Sequence, residues 1–519
     1  MKKIKINLLL VCIISLGFFL RIYQIENTPP GIYPDEAVNG EDALRANATG
    51  NYQWFYPANQ GREGLFMNLI ALCFKLFGAS ILTLKLPAII FGTLTILGTY
   101  LLSKEIFKSE RIGLISSFLV SVSFWAINFS RISFRANMLP PILVFSFYFL
   151  FRGLRTKKWW DFAIGGFIFG VGMHSYISWR IAPIVLVAML PFFILARKNF
   201  FKNYWKSILI FLFFSIISAF PMFLTFYQHP EFLESRSSSI SVLSPEVNRG
   251  NPIQTFLRSF ALSMVKYNFW GDQNWRHNFP PYPLLDPLTG LAFIFGLFFS
   301  IKKFFQAFSE RIREKTTTLE LEIYAFLLIW FLFLLAPEFM TAEGNPHALR
   351  SIGTLPVVFI FSALGIENIF KKSEKQGVFW KRFFFFFLIS ILLIIGIFNS
   401  LKYHIFWAKK VRVAQSFNKN ITDISKYINI LPENQEKYII TSYNTLIKLP
   451  IYIFHSKDSS VQYFYPNELD KINPKNPRNS IFIFIEKNDE AINQIQKRYP
   501  FLKLTENIYP GESKFYILK

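Results

Sequence analysis

Asp35 and Glu36 stand side by side in the stretch Tyr33-Pro34-Asp35-Glu36-Ala37, at the head of a polar loop, 25–64, that follows the first apolar run. A carboxylate facing a substrate pocket can take the proton of an attacking hydroxyl. The same residue types also suit a helix start, Asp as an N-cap and Glu in the first turn. Spacing alone leaves both readings open. Other groups able to do chemistry fall between apolar runs: Arg62 and Glu63; Arg131 and Arg135; His174, Tyr176 and Arg180; Arg236, Asp272, Arg276 and His277; Glu343, His347 and Arg350. One arginine in such a place also suits an interfacial anchor, and one histidine a packed core residue. The set says more than its members. Arginines flanking loops beside an acidic pair, over an apolar body, suit a substrate with an anionic phosphate and a long lipid tail, because guanidinium binds phosphate through paired donors. Glycosyl transfer has an oxocarbenium-like transition state, so a nearby anion and a stabilised leaving phosphate both promote it.

The elements that must position these groups are mostly membrane helices. Hydrophobic residues make up 52% of the chain, charged residues 17%, and Phe occupies 63 positions. That is the composition of a polytopic membrane protein, not of the several soluble domains that 519 residues would otherwise suggest. Apolar windows predict about eleven spans, at 7–24, 84–102, 112–129, 139–153, 161–178, 181–196, 206–227, 287–301, 320–337, 352–370 and 383–400. The run 65–78 is short and interrupted by Lys75, which suits a re-entrant or interfacial helix. Lys2, Lys3 and Lys5 precede the run Leu8 to Leu20 with no small-residue cleavage site after it, so an uncleaved first transmembrane helix is expected. Lys and Arg crowd the segments 1–6, 103–111, 152–160, 197–206, 302–319 and 371–382, whereas the opposite short loops hold Arg45, Arg62, Arg131, Arg135, Arg180 and Arg350. This bias predicts a cytoplasmic N-terminus, and an odd number of spans then puts the C-terminus outside. It also explains most of the net charge of +23 as topology and excludes a nucleic-acid partner from the reading. Cys12 and Cys73 lie in apolar runs and are expected to be buried packing residues. The tail 401–519 reads as an extracytoplasmic α/β domain, with strands at 437–441, 461–465, 480–486 and 514–518 and helices at 411–430 and 488–498. Asn47-Ala48-Thr49 matches the glycosylation sequon, a chance match in a protein of bacterial type.

The Tyr33-Pro34-Asp35-Glu36-Ala37 stretch resembles bacterial members of glycosyltransferase family 39, in the GT-C superfamily of protein O-mannosyltransferases and the lipid A aminoarabinose transferase. Other stretches agree, in order: Glu63-Gly64-Leu65-Phe66 with Leu76-Phe77-Gly78 and Leu86-Pro87; Phe129-Ser130-Arg131 to Arg135-Ala136-Asn137-Met138-Leu139; His174-Ser175-Tyr176 with Arg180 and Pro183; Gly271-Asp272, Trp275-Arg276-His277-Asn278 and Pro283-Leu284-Leu285-Asp286; His347-Ala348-Leu349-Arg350 to Leu355-Pro356. Each motif is short. Their order over about residues 5–400 is the more specific signal.

The resemblance implies a mainly α, GT-C-type transmembrane catalytic domain at 1–400, with outer loops 25–83 and 228–286, and the α/β domain at 401–519. It implies a polyprenyl-phosphate sugar donor at the outer leaflet of the inner (plasma) membrane, a glycan, lipid or protein acceptor, inversion at the anomeric carbon, and surrounding membrane lipids as partners. Asp35 would be the base and Glu36 would shape the site. Arg131, Arg135, Arg180 and Arg350, with His174, Tyr176 and His347, would bind the lipid phosphate or sugar. Many relatives carry an acid where this chain has Asn137. Glu63 or Glu343 would then be the second acid, and a divalent metal has no assigned ligands. Two rival readings stay open: a transporter or flippase of a lipid-linked glycan, and a membrane anchor whose tail binds a partner. The first rival predicts polar mid-membrane residues and repeated halves; the sequence shows few of the former and no clear repeat.

Overall fold

The computed structural model describes residues 2–58, 61–234, 241–314, 319–374, 377–442, 444–454, 461–509 and 513–519. By contacts the chain divides into two compact units. The first holds Met1–Tyr23, Tyr52–Phe66 and Ala88–Ile405; the second holds Gln24–Asn51, Met67–Pro87 and Phe406–Lys519.

The first unit is a helical bundle. Among the described residues, eight helices are long and apolar enough to cross a membrane, and a bent pair, Glu110–Val122 with Phe124–Ser130, makes up to nine. The windows 7–24 and 161–178 correspond to shorter apolar helices, Ile6–Ile22 within Lys2–Ile22, and Trp159–Val171. The protein is thus an integral membrane protein built mainly of helices. The bend in the pair is 59° and falls at Ser123, whose extended backbone interrupts the hydrogen-bond ladder. The following span opens at Leu139 with Pro140 and Pro141 in its first turn, where the missing N–H groups have no helical partner to lose. Where helices touch most closely, glycine allows it. A Cβ on Gly296 would meet the Phe361 carbonyl at 1.7 Å, and one on Gly365 would meet the Ala292 carbonyl at 2.2 Å. The helices Pro287–Glu314 and Leu355–Glu374 therefore pack backbone to backbone, as small residues permit in lipid. Between other spans, rings fill the space: Phe147 meets Phe326 and Trp330 at centroid distances of 5.0 and 5.1 Å. Cys12 is exposed on the first helix and Cys73 half-buried, so neither is the buried packing residue expected.

The second unit contains the α/β sheet. Strand order is Val461–Phe464, Glu436–Ile440, Ser480–Phe484, Ser513–Leu518, Leu504–Tyr509; the first three are parallel and the last two antiparallel additions. Side chains alternate between two cores, as period-two geometry requires. Ile439, Ile481, Ile483 and Ile517 face the helices Lys419–Asn429 and Asn444–Phe454. Tyr438, Ile440, Phe482, Phe484 and Leu518 face Ala491, Ile492 and Ile495 of Asp489–Arg498. The expected helix 411–430 is two helices, Val411–Ser416 and Lys419–Asn429, because Asn418 adopts the left-handed region at φ 48°.

The front part of the first polar loop, Gln24–Asn51, also belongs to this unit. Its helix Pro34–Thr49 packs on Asn444–Phe454, and a Cβ on Gly40 would strike Leu449 at 2.4 Å. Tyr33 stands edge-on to Phe417 at 6.3 Å. The predicted 65–78 segment is the helix Leu65–Phe77, tied to Pro34–Thr49 by the Asn47 side-chain amide donating to the Ala71 carbonyl at 2.9 Å. The sequon asparagine is thus engaged in packing.

Candidate active site

In the second unit, Pro34 pre-sets the first turn of the helix that carries the acidic pair. The two carboxylates differ in fate. Glu36 is fully buried; its Oε2 accepts from the Tyr33 backbone N–H at 3.0 Å, and its Oε1 lies 3.9 Å from the buried Lys85 Nζ. Capping and ion pairing thus occupy Glu36. Asp35 sits beside it in the first turn and is only half-buried. Lys85 escaped sequence reading because it stands within an apolar span; a lysine there implies a buried acid nearby.

In the first unit, Glu63 is the centre of one group. The hairpin that pairs Phe55–Tyr56 with Arg62–Glu63 turns it inward. Arg135 Nε donates to Glu63 Oε2 at 2.6 Å, and the same guanidinium lies 5.7 Å from the Tyr176 ring. Glu63 is also within electrostatic reach of His174 and Arg180. His174 Nε2 lies 2.9 Å from the Ser218 carbonyl, with the Trp54 ring tilted against its ring at 5.4 Å. Arg180 reaches the Leu233 carbonyl at 3.4 Å and covers Phe226 at 5.2 Å. Four expected residues from two sequence regions, Arg135 and His174 to Arg180, therefore gather around the Glu63 carboxylate.

A second group lies in the loops before the spans that begin at Pro287 and near Ile352. Asp272 is buried; its Oδ1 accepts from Asn274 N–H at 2.8 Å and its Oδ2 from Ala348 N–H at 2.7 Å. Asp272 Oδ2 lies 3.0 Å from His277 Nδ1, and the His277 and His347 ring centroids are 4.8 Å apart. His347 N–H donates to Glu338 Oε1 at 2.9 Å, and Glu338 forms an ion pair with the fully buried Lys266. Burial, aided by the neighbouring His277, Arg350, Arg276 and Lys266, pushes His347 well below the usual histidine range. Burial also brings Arg276 down to about 10. Arg350 pairs with the exposed Glu343 at 3.3 Å, so Glu343 is a surface partner of an arginine. The bend at Ser123 brings Phe129 within 5.5 Å of the His277 ring.

Arg131 is turned toward the first helix instead. It is fully buried, donates to the Leu20 carbonyl at 2.9 Å and covers Tyr403 at 5.4 Å. Asn137, at the place of the relatives' acid, donates to the Ala88 carbonyl at 2.7 Å, which fixes the junction. Arg236 lies outside the described residues. The pair Lys266–Glu338 and the role of Asp272 were not foreseen as a unit. Their partners lie far apart in sequence, and only the buried charge type was there to suggest them.

The architecture is similar to that of solved structures with a GT-C-type fold. It matches ArnT from Cupriavidus metallidurans in the apo state (TM-score 0.55, 10% identity, 100% of this chain and 98% of that chain) and bound to undecaprenyl phosphate (TM-score 0.52, 11% identity, 99% and 97%). It also matches the apo oligosaccharyltransferase of Archaeoglobus fulgidus (TM-score 0.50, 16% identity, 96% and 69%). Within that fold, residues 65–223 match the sequence model of the dolichyl-phosphate-mannose-protein mannosyltransferase family. No curated protein sequence matches the chain.

Proposed function

We propose that this chain is a membrane glycosyltransferase that moves a sugar from a polyprenyl-phosphate donor to a cell-surface acceptor on the outer face of the inner membrane, with inversion. The observation that carries the reading is the division of labour in the acidic pair. Glu36 is buried and engaged by the cap and by Lys85, whereas Asp35, beside it in the first turn, is half-buried and is the carboxylate we assign to proton transfer. ArnT with undecaprenyl phosphate supports the donor class, and the family match over 65–223 supports sugar transfer.

In the proposed step, Asp35 takes the proton of the acceptor hydroxyl as its oxygen bonds to the anomeric carbon. The bond from that carbon to the phosphate oxygen breaks on the opposite face, and the lipid phosphate leaves with the electron pair. Arg135 and Arg180, beside Tyr176 and His174, and Arg350, beside His347, provide paired donors for the phosphate or sugar oxygens. Glu63 holds Arg135 in place and is a candidate for the second acid; Glu343, the other candidate, holds Arg350. Arg131, turned inward, ties the chain just before Arg135 to the first helix.

The test is purified full-length protein with a synthetic polyprenyl-phosphate sugar and a mixture of envelope acceptors, with product and anomeric configuration read by mass spectrometry and NMR. Translocation of the donor across vesicles with no bond formation would favour the flippase reading instead.

A further inference from the structure

We propose that Asp272, His277 and His347 form a binding site for one divalent transition-metal ion of the zinc class. Each residue offers one ligand atom, and the three atoms lie within 4.8 Å of one another. In a tetrahedral zinc site, metal–ligand bonds of about 2.0–2.2 Å set neighbouring donors roughly 3.3–3.5 Å apart. The Asp272 Oδ2 to His277 Nδ1 separation of 3.0 Å is already close to that edge. His347 has to close by about an ångström, a side-chain rotation.

The cluster is built rather than incidental. Asp272 and His277 are buried, and the carboxylate is fixed by two backbone N–H groups, from Asn274 and Ala348. The Asn278 side chain donates to the Asp272 carbonyl at 3.1 Å, which holds the turn between the first two donors. Glu338 accepts from the His347 N–H and anchors the third donor. Ligating carboxylates and histidines elsewhere carry such outer hydrogen bonds. The donor set also selects the ion. Two imidazoles and one carboxylate favour zinc, cobalt, nickel or copper over magnesium or calcium, which prefer oxygen donors. Neighbouring charges nearly cancel: Lys266 is matched by Glu338 and Arg350 by Glu343, which leaves Arg276 against Asp272. That balance disfavours a hard cation and leaves nitrogen donation as the attraction. The three ligands leave a fourth position for water or an anionic oxygen. Metal binding here does not depend on sugar transfer, since the metal alone is the probe.

The experiment uses chelator-stripped full-length protein in detergent. Zn²⁺ alone is added, free ion is removed, and bound metal is counted. Cu²⁺ loading followed by electron paramagnetic resonance then counts nitrogen donors. The expected result is one Zn²⁺ per chain, no retained Mg²⁺, and nitrogen hyperfine splitting from two imidazoles. His277→Gln and, separately, His347→Gln should weaken Zn²⁺ binding by about a hundredfold, comparable to the upper end of losing an outer hydrogen bond in known sites. If a variant fails to fold, the two-nitrogen signature in the unsubstituted protein decides. Absence of retained Zn²⁺, or a copper signal without two imidazole nitrogens, overturns the proposal. Unchanged stoichiometric binding in both folded variants also overturns it, by placing the metal elsewhere.

Discussion

Arg135 Nε donates to Glu63 Oε2 at 2.6 Å, joining the first polar loop to the start of the Leu139–Thr156 span. Both side chains are largely buried, so the pair is held in a low-dielectric setting where its geometry is well defined. Removing one partner then leaves a charge that has lost its counterpart.

Arg135→Ala should lower kcat/KM for the lipid-phosphate donor by about tenfold to a hundredfold, the worth of a charged hydrogen bond. Arg135→Lys should recover little, because an ammonium lacks the planar fork. Glu63→Gln should keep the fold and raise donor KM less than Arg135→Ala does. Steady-state kinetics with varied donor concentration checks all three.

The buried pair Lys266–Glu338 should be required for stability. Lys266→Met alone strands a buried carboxylate, at a cost of about 3–5 kcal/mol. Lys266→Met with Glu338→Leu should recover most of that loss, because no buried charge remains unpaired. Thermal unfolding of the detergent-purified variants measures the difference.

Gly296→Leu should disrupt the packing of Pro287–Glu314 on Leu355–Glu374, since even a Cβ meets the Phe361 carbonyl. Gly296→Ala should be milder yet still destabilising by about 1–3 kcal/mol, the range for overpacking. The yield of monodisperse protein after detergent extraction should fall most for leucine and less for alanine.

Glu41 gives a pH-dependent case. Burial raises its pKa above the ordinary 4.5, against the opposing pull of Lys448 and Arg45, and its Oε2 is buried without a hydrogen-bond partner. An acid whose folded pKa is raised binds its proton more tightly when folded, so stability falls as pH rises through the folded pKa. Glu41→Gln should therefore raise the melting temperature at pH 7. The gain should vanish below about pH 4.5, where the carboxyl is protonated in both states. Melting curves across pH 4–8, a range set by that carboxyl, measure it.

The spans were legible because lipid demands long apolar runs with internally satisfied backbones. Every predicted window holds a helix, though 161–178 holds only Trp159–Val171 before the chain turns at Gly172. The central strands Glu436–Ile440 and Ser480–Phe484 were legible because burial on both faces gives runs of Tyr, Ile and Phe. The edge strand Leu504–Tyr509 was missed: Thr505, Glu506 and Asn507 give it no apolar run. The helix Asn444–Phe454 was missed because Pro450 and its β-branched residues read against helix. At the site, residue types and their order were readable, but pairings were not. Nothing local in the sequence joins Glu63 to Arg135, Glu36 to Lys85 or His347 to Asp272 and His277; tertiary packing does.

Turnover by Asp35→Asn tests the proposed chemistry most directly. With a synthetic polyprenyl-phosphate sugar and a competent acceptor, the variant should fold and bind donor normally. Its kcat should fall by about a hundredfold or more, the usual contribution of a general base. Turnover at the unsubstituted rate would contradict the assignment of Asp35 as the base.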